Sequence, residues 1–322
     1  MTLDEKVGQM LQVDRQFLVA ERHITEYGLG SLLSGGGSTP QPNTPEAWAD
    51  MIDGFQQRAL DTRLGIPLLY GTDSVHGHNN LLGATIFPHN IGLGATRNPD
   101  LVRAIGRATA VESAATGITW NFAPSVAVPQ DIRWGRTYEG YSEDAELVAS
   151  LGAAFVAGLQ GTADPQELQS ALARPDTILA TAKHFIGDGG TAGGRDQGDV
   201  PYSAQQVLDR FGSPYRAAID SGVTTVMATY NSIQGVKVHG SREVLTDILR
   251  SQLGFGGLLV SDWAAIRQLP GGPLAQVARA VNAGIDMIMI PDDYANTFVQ
   301  LKGAVLTEEV SMERIDQAVL RI

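Results

Sequence analysis

The stretch GGLLVSDWAA, residues 256–265, runs small and apolar residues straight into Asp262 and Trp263. A short unbroken apolar run of this kind reads as a parallel strand buried on both faces. In an α/β barrel the residues just past such a strand form the mouth where chemistry is done, which makes Asp262 the first candidate for a reacting group. The competing reading is that Asp262 caps the next helix, since aspartate is a favoured N-cap.

Segments of the same character recur along the chain, separated by helix-length amphipathic stretches, the pattern of a parallel α/β fold. They are GLGSLLSGG (28–36), IPLLYGTDSVHG (66–77), FPHNIGLGAT (87–96), TWNFAPSVAV (119–128), TILATAKHFIG (177–187), TTVMATYNSI (224–233), GLLVSDWAA (257–265) and DMIMIP (286–291). Eight strand-helix units predict an α/β fold of the (β/α)8, TIM-like barrel type, with residues 1–322 as one domain. FPHNIGLGAT departs from the others, because its proline and two glycines suit an irregular loop equally well. Helix signals fall between the strands: Asn98 and Pro99 open a run to Gly117, and Ser142 to Asp144 open one to Gly158. Thr2 and Glu5 form a capping box that starts a helix, so the first residues do not read as a signal peptide. SGGGSTPQPNTP (34–45) reads as a flexible rim loop; its glycines lack the lysine of a phosphate-binding loop.

The 322 residues are 43% hydrophobic and 18% charged, with a formal net charge of −12. Such a chain has ample material for one large core, and its acidity would repel phosphate backbones and anionic lipid. Nucleic-acid and membrane partners are therefore not expected. There is no cysteine, which removes disulfides, thiolate catalysis and Cys-ligated zinc.

In a barrel all strands end on one face, so polar residues just past the apolar runs should meet in space. This brings together Asp73, Arg133 and Arg136, Lys183 and His184, Tyr230, Asp262 and, nearby, Asp292. Ionisable groups gathered at a rim are costly unless they pair with one another or with a ligand. Lys183, following TILATA, lies nearly inside the barrel and is expected to contact Asp73 or ligand hydroxyls. Singly, each residue has a plainer reading: Asp73 as a turn cap, Arg136 as a surface ion pair, Tyr230 as a core aromatic with a wet hydroxyl. Met227, Met287 and Met289 read as core filler, and His23 and His89 as structural residues.

The strings GTDSVHGHNN, IRWGRTYEGYSED, AKHFIGDGGT, MATYNS and LVSDW together resemble the N-terminal barrel domain of glycoside hydrolase family 3, in its β-glucosidase and exo-β-glucanase branch. The likeness runs from EKVGQM near the start to RIDQAVLRI at the end. It implies that Asp262 is the nucleophile of a retaining glycosidase. It also implies that Asp73, Arg136, Lys183 and His184 hold the sugar in the innermost subsite, with Tyr230 and Trp263 on its walls, and that no cofactor or metal takes part. Trp263 or Trp134 would suit stacking on a sugar face, and Lys183 and Arg136 are expected to keep the Asp262 pKa low.

A retaining glycosidase also needs an acid to protonate the leaving oxygen. In the N-acetylglucosaminidase branch a His-Asp dyad after KHF supplies it, but here that loop reads KHFIGDGGTAGGRDQGD (183–199) and has no such histidine. In the glucosidase branch the acid comes from a C-terminal α/β domain, which the resemblance implies as a partner beyond Ile322. The isolated chain is then expected to turn over poorly and to favour activated leaving groups. In-chain substitutes would be Glu139, Asp196 or Asp199; Asp188 and Asp196 read as loop-ordering residues. The branch implies a periplasmic or extracellular enzyme in its full-length form, with any export signal upstream. Three other readings stay open: a sugar-binding barrel without catalysis, a metal-dependent amidohydrolase built on His76, His78, His184 and His239, and a Schiff-base enzyme using Lys183.

Overall fold

In the computed structural model, which describes residues 1–322, eight short parallel strands stand in a ring with helices outside it. In chain order the strands of the molecule are β1 (Leu11–Asp14), β2 (Ser31–Ser34), β3 (Leu69–Thr72), β4 (Trp120–Asn121), β5 (Thr181–Phe185), β6 (Asp199–Val200), β7 (Thr225–Ala228), β8 (Ser232–Ile233), β9 (Val236–Lys237), β10 (Leu258–Val260) and β11 (Ile288–Met289). The ring has two arcs, β11-β1-β2-β3-β4 and β10-β7-β5, while β6, β8 and β9 make a small ribbon apart from it. The ladder is not continuous around the ring. At the two seams it thins to isolated bridges, Trp120 with Leu179 and Ser125 with Lys183 at one and Val260 with Met287 at the other. The result is a TIM-like barrel whose strand ladder stays open at both seams.

The inside of the ring is filled by Leu33, Trp120, Phe122, Met227, Leu258, Val260, Met287 and Met289, all nearly inaccessible. Three of these are the methionines expected as filler. Trp120 Nε1 donates to Thr181 Oγ1 at 2.8 Å and to Thr225 Oγ1 at 3.0 Å, so the indole is buried without losing its hydrogen bond. A larger apolar layer packs the helices on the outer faces of the strands, which explains why these strands read as unbroken hydrophobic runs.

The expected count of eight holds, but one member is replaced. FPHNIGLGAT (87–96) is not a strand: Asn90–Thr96 is a short helix ending at Arg97 in the left-handed region. A Cβ on Gly94 would stand 1.7 Å from the Tyr141 carbonyl oxygen, so its glycine serves close packing and not a strand. The missing strand is β1. It was hidden because the helix Leu3–Gln9, opened by the Thr2–Glu5 capping box, leaves only Met10 before Leu11. The other helix signals hold closely: Asn98 caps Pro99–Ala114, and Asp144 caps Ala145–Gln160, which ends at Gly161 with φ 81°.

At the N-terminal end of the strands, opposite the mouth, Asp286 is fully buried. It accepts from Arg250 Nη2 at 2.5 Å, Arg314 Nη2 at 2.8 Å, Arg321 Nη1 at 3.1 Å and the Leu259 N–H at 3.0 Å. One carboxylate thus ties two outer helices to the strand pair β10 and β11. Removing it leaves buried guanidinium groups without their acceptor. Asp286→Ala is expected to lose about 3–5 kcal/mol in denaturant titration; a loss under about 1 kcal/mol would show that the cluster adds nothing to the fold.

Candidate active site

The C-terminal ends of the strands bring most of the expected residues together. Asp73 follows β3, Lys183 and His184 lie within β5, Tyr230 follows β7, Asp262 and Trp263 follow β10, and Arg136 stands in the loop after β4. Lys183 Nζ donates to Asp73 Oδ1 at 2.7 Å, as its position predicted. Arg136 donates to both oxygens of Glu139, at 2.8 and 2.9 Å, and its Nη2 lies 3.1 Å from His184 Nε2. Because a guanidinium only donates, Nε2 accepts, and the histidine proton sits on Nδ1, 3.0 Å from Asp188 Oδ2. Tyr230 donates its hydroxyl to the Trp263 carbonyl at 2.5 Å.

Asp262 is buried, and its two oxygens differ. Oδ1 accepts from the Trp263 N–H at 2.7 Å. Oδ2 is inaccessible and has no hydrogen-bond partner; His184 Nε2, at 3.7 Å, already accepts from Arg136. Burial pushes the Asp262 pKa up to about 6, against the pull of the Trp263 N–H, Arg136 and Lys183. This corrects the expectation of a low value: the cations are present, but loss of water outweighs them. Burial likewise raises Asp188 to about 7, opposed by Arg136 and the Gly189 N–H. His184 lies well below its ordinary value, first through burial and then through Arg136 and Lys183, so it is neutral. Burial works against charge on Arg136, yet its bonds to Glu139, with Asp188 and Asp262 adding, hold it firmly ionised.

Several expected neighbours lie elsewhere. Arg133 turns to Asp131 and is exposed, and Asp292 pairs with Arg267 in solvent. Trp134 is buried and donates Nε1 to Asp196 at 3.0 Å, which removes it as a stacking surface. The rim loop after β2 is tied down: Gly35 N–H and Ser38 Oγ both donate to Asp14, and a Cβ on Gly35 would stand 3.0 Å from the Trp263 ring. His76 bonds His89 and His78 bonds Thr116, so each histidine of the HGH pair has a partner other than Lys183 or Asp262. The substitute acids are engaged: Glu139 by Arg136, Asp196 by Trp134, Asp199 by Ser232 and Gly235. Glu139 keeps a low pKa, the bonds from Arg136 outweighing its burial, as suits a clamp and not an acid. The partnerships of Glu139 and Asp188 escaped sequence reading, although both sit within four residues of the side chain they hold. A cavity of about 850 Å³ lies elsewhere, at the opposite end beside Arg250, Arg314 and Arg321.

The chain matches the model of the glycosyl hydrolase family 3 N-terminal domain over residues 2–322. It is 33% identical to a lysosomal beta glucosidase of Dictyostelium discoideum, over 100% of this chain and 42% of that protein. The periplasmic beta-glucosidase of Salmonella typhimurium is also 33% identical, over 99% of this chain and 39% of the relative. Among solved structures, the exo-1,3/1,4-beta-glucanase of a Pseudoalteromonas species superposes with a TM-score of 0.94 at 43% identity, covering all of this chain and 40% of that one. The chain therefore spans about two fifths of the length of these two relatives. Matched by the family model over residues 2–322, the chain belongs to glycoside hydrolase family 3, within its N-terminal domain.

Proposed function

We propose that this chain is the barrel portion of a retaining β-glucosidase or exo-β-glucanase, with Asp262 as nucleophile. The observation that carries this reading is the asymmetry of the Asp262 carboxylate: one oxygen is fixed by a backbone N–H, while the other is desolvated and free. Oδ2 attacks the anomeric carbon, the carbon–oxygen bond to the aglycone breaks with its electron pair on the leaving oxygen, and a glycosyl ester remains for water to hydrolyse. Asp73, Arg136, Lys183 and His184 offer donors and acceptors for the hydroxyls of one glucosyl unit, and Tyr230 and Trp263 line the wall. Between Oδ2 and His184 Nε2, both acceptors, a ligand hydroxyl would supply the missing donor.

The proton for the leaving group comes, in this reading, from a C-terminal domain of the full-length enzyme, because each in-chain candidate carboxylate is already bonded. β-Glucosides or β-glucans are the substrate class, following the named activities of the relatives. A periplasmic site of action follows the name of the Salmonella relative. No helix is long and apolar enough to cross a membrane.

Asp262→Asn should lower turnover of an aryl β-glucoside by about 10³-fold or more while leaving glucose affinity within a few fold. It should also stabilise the fold. The Asp262 pKa rises from 3.8 to about 6 on folding, so at neutral pH the folded state bears a penalty for an ionised group that the unfolded chain does not. The gain, about 2–3 kcal/mol at pH 7, should vanish below about pH 4, where both states are protonated. Unchanged turnover would refute Asp262 as the nucleophile, whereas glucose binding with no turnover by either form would leave a sugar-binding barrel.

Because the nucleophile must be ionised, kcat/KM should fall on the acid side with an apparent pKa near 6. An acid limb near 4 would show that Asp262 is far better solvated than its surroundings imply.

A further inference from the structure

His239 lies in the single turn Val238–Gly240 just after β9, between Tyr230 and Asp262 in the sequence, and is 1% exposed. Its Nε2 stands 3.0 Å from the backbone nitrogen of Asp262. An amide N–H only donates, so Nε2 accepts, and the ring must be neutral with its proton on Nδ1. Burial favours the same state, pushing the pKa down to about 3, with Lys237 acting in that direction and the Thr229 backbone against it.

The backbone around Asp262 explains what this bond does. Ser261 N–H donates to the Met287 carbonyl and Ala264 N–H to the Met289 carbonyl, so the ladder to β11 is kept on either side. Between them the amides of Asp262 and Trp263 have no ladder carbonyl. Trp263 N–H turns to Asp262 Oδ1, and Asp262 N–H turns to His239. The Tyr230 hydroxyl then holds the Trp263 carbonyl. Two residues are thereby bulged out of the strand line, with Oδ1 tied and Oδ2 left free.

We propose that His239 is a positioning residue for the Asp262 nucleophile: its Nε2 replaces the absent strand carbonyl and holds the bulge that fixes the Asp262 carboxylate. The inference rests on Asp262 being the nucleophile, but the bond it invokes is observable without turnover. Losing the acceptor leaves a buried N–H unsatisfied and lets the bulge relax, and displacements of about 1 Å at a reacting atom can cost on the order of 100-fold in rate.

The test compares His239→Leu, which removes the acceptor, with His239→Gln, whose Oε1 can reach the same N–H. In ¹⁵N-labelled wild-type chain, a coupling across the hydrogen bond between Asp262 N and His239 Nε2 is expected. Exchange of the Asp262 amide should be about 10-fold faster in the Leu variant and near wild type in the Gln variant. With an aryl β-glucoside carrying an activated leaving group, the Leu variant should lose about 10- to 100-fold in kcat with KM within about 3-fold, and the Gln variant should recover most of it. Absence of the coupling, or a Gln variant no better than Leu, would overturn the positioning role. A folded Leu variant with wild-type kcat would do the same. A wild-type chain that shows the coupling and the exchange pattern but no turnover would sustain His239 while refuting the enzyme reading.

Discussion

A carboxylate held out of water without a full set of partners governs the mouth of this barrel. Asp262 has a single backbone donor, and the cations that favour its charge, Arg136 and Lys183, are committed to Glu139 and Asp73. The result is an anion balanced at a distance, with burial still dominant. Such a group is poor for stability and well suited to reaction, since an oxygen wrapped in hydrogen bonds is a weak nucleophile. The surrounding pairs serve this arrangement: Glu139 keeps Arg136 in place, Asp188 sets the His184 tautomer, and Asp73 keeps a buried ammonium neutralised.

The two ends of the barrel treat a buried aspartate in opposite ways. At the N-terminal end, Asp286 is saturated by three arginines and a backbone N–H, a fully satisfied charge that fastens helices to strands. At the C-terminal end, Asp262 is left under-satisfied. Both residues are buried aspartates on the same pair of neighbouring strands, and the difference in their partners separates a structural group from one with capacity for a ligand.

The sequence made Asp262, Lys183, His184, Asp73 and Tyr230 legible because each directly follows or ends an apolar run, and strand direction alone brings such residues together. It misled where one local signal masked another. The capping box at Thr2 concealed β1 directly behind its helix, and the alternating apolar residues of 87–96 imitated a strand although Gly94 is there to let Tyr141 pass. Partnerships were less legible than positions. Nothing in the order of residues says that Trp134 turns inward to Asp196, or that His239 reaches the amide of Asp262, because those facts depend on how loops fold over one another. The net rise in the Asp262 pKa was missed for a related reason: charges can be counted in a sequence, while exclusion of water appears only in the packed structure.

The most direct measurement is covalent trapping. Incubating the protein with a 2-deoxy-2-fluoro-β-glucoside bearing an activated leaving group, followed by digestion and peptide mass analysis, should find one fluoroglucosyl ester, on Asp262. An ester on Asp73, Glu139 or another carboxylate, or steady hydrolysis with inversion at the anomeric centre and no ester at all, would contradict the proposed mechanism.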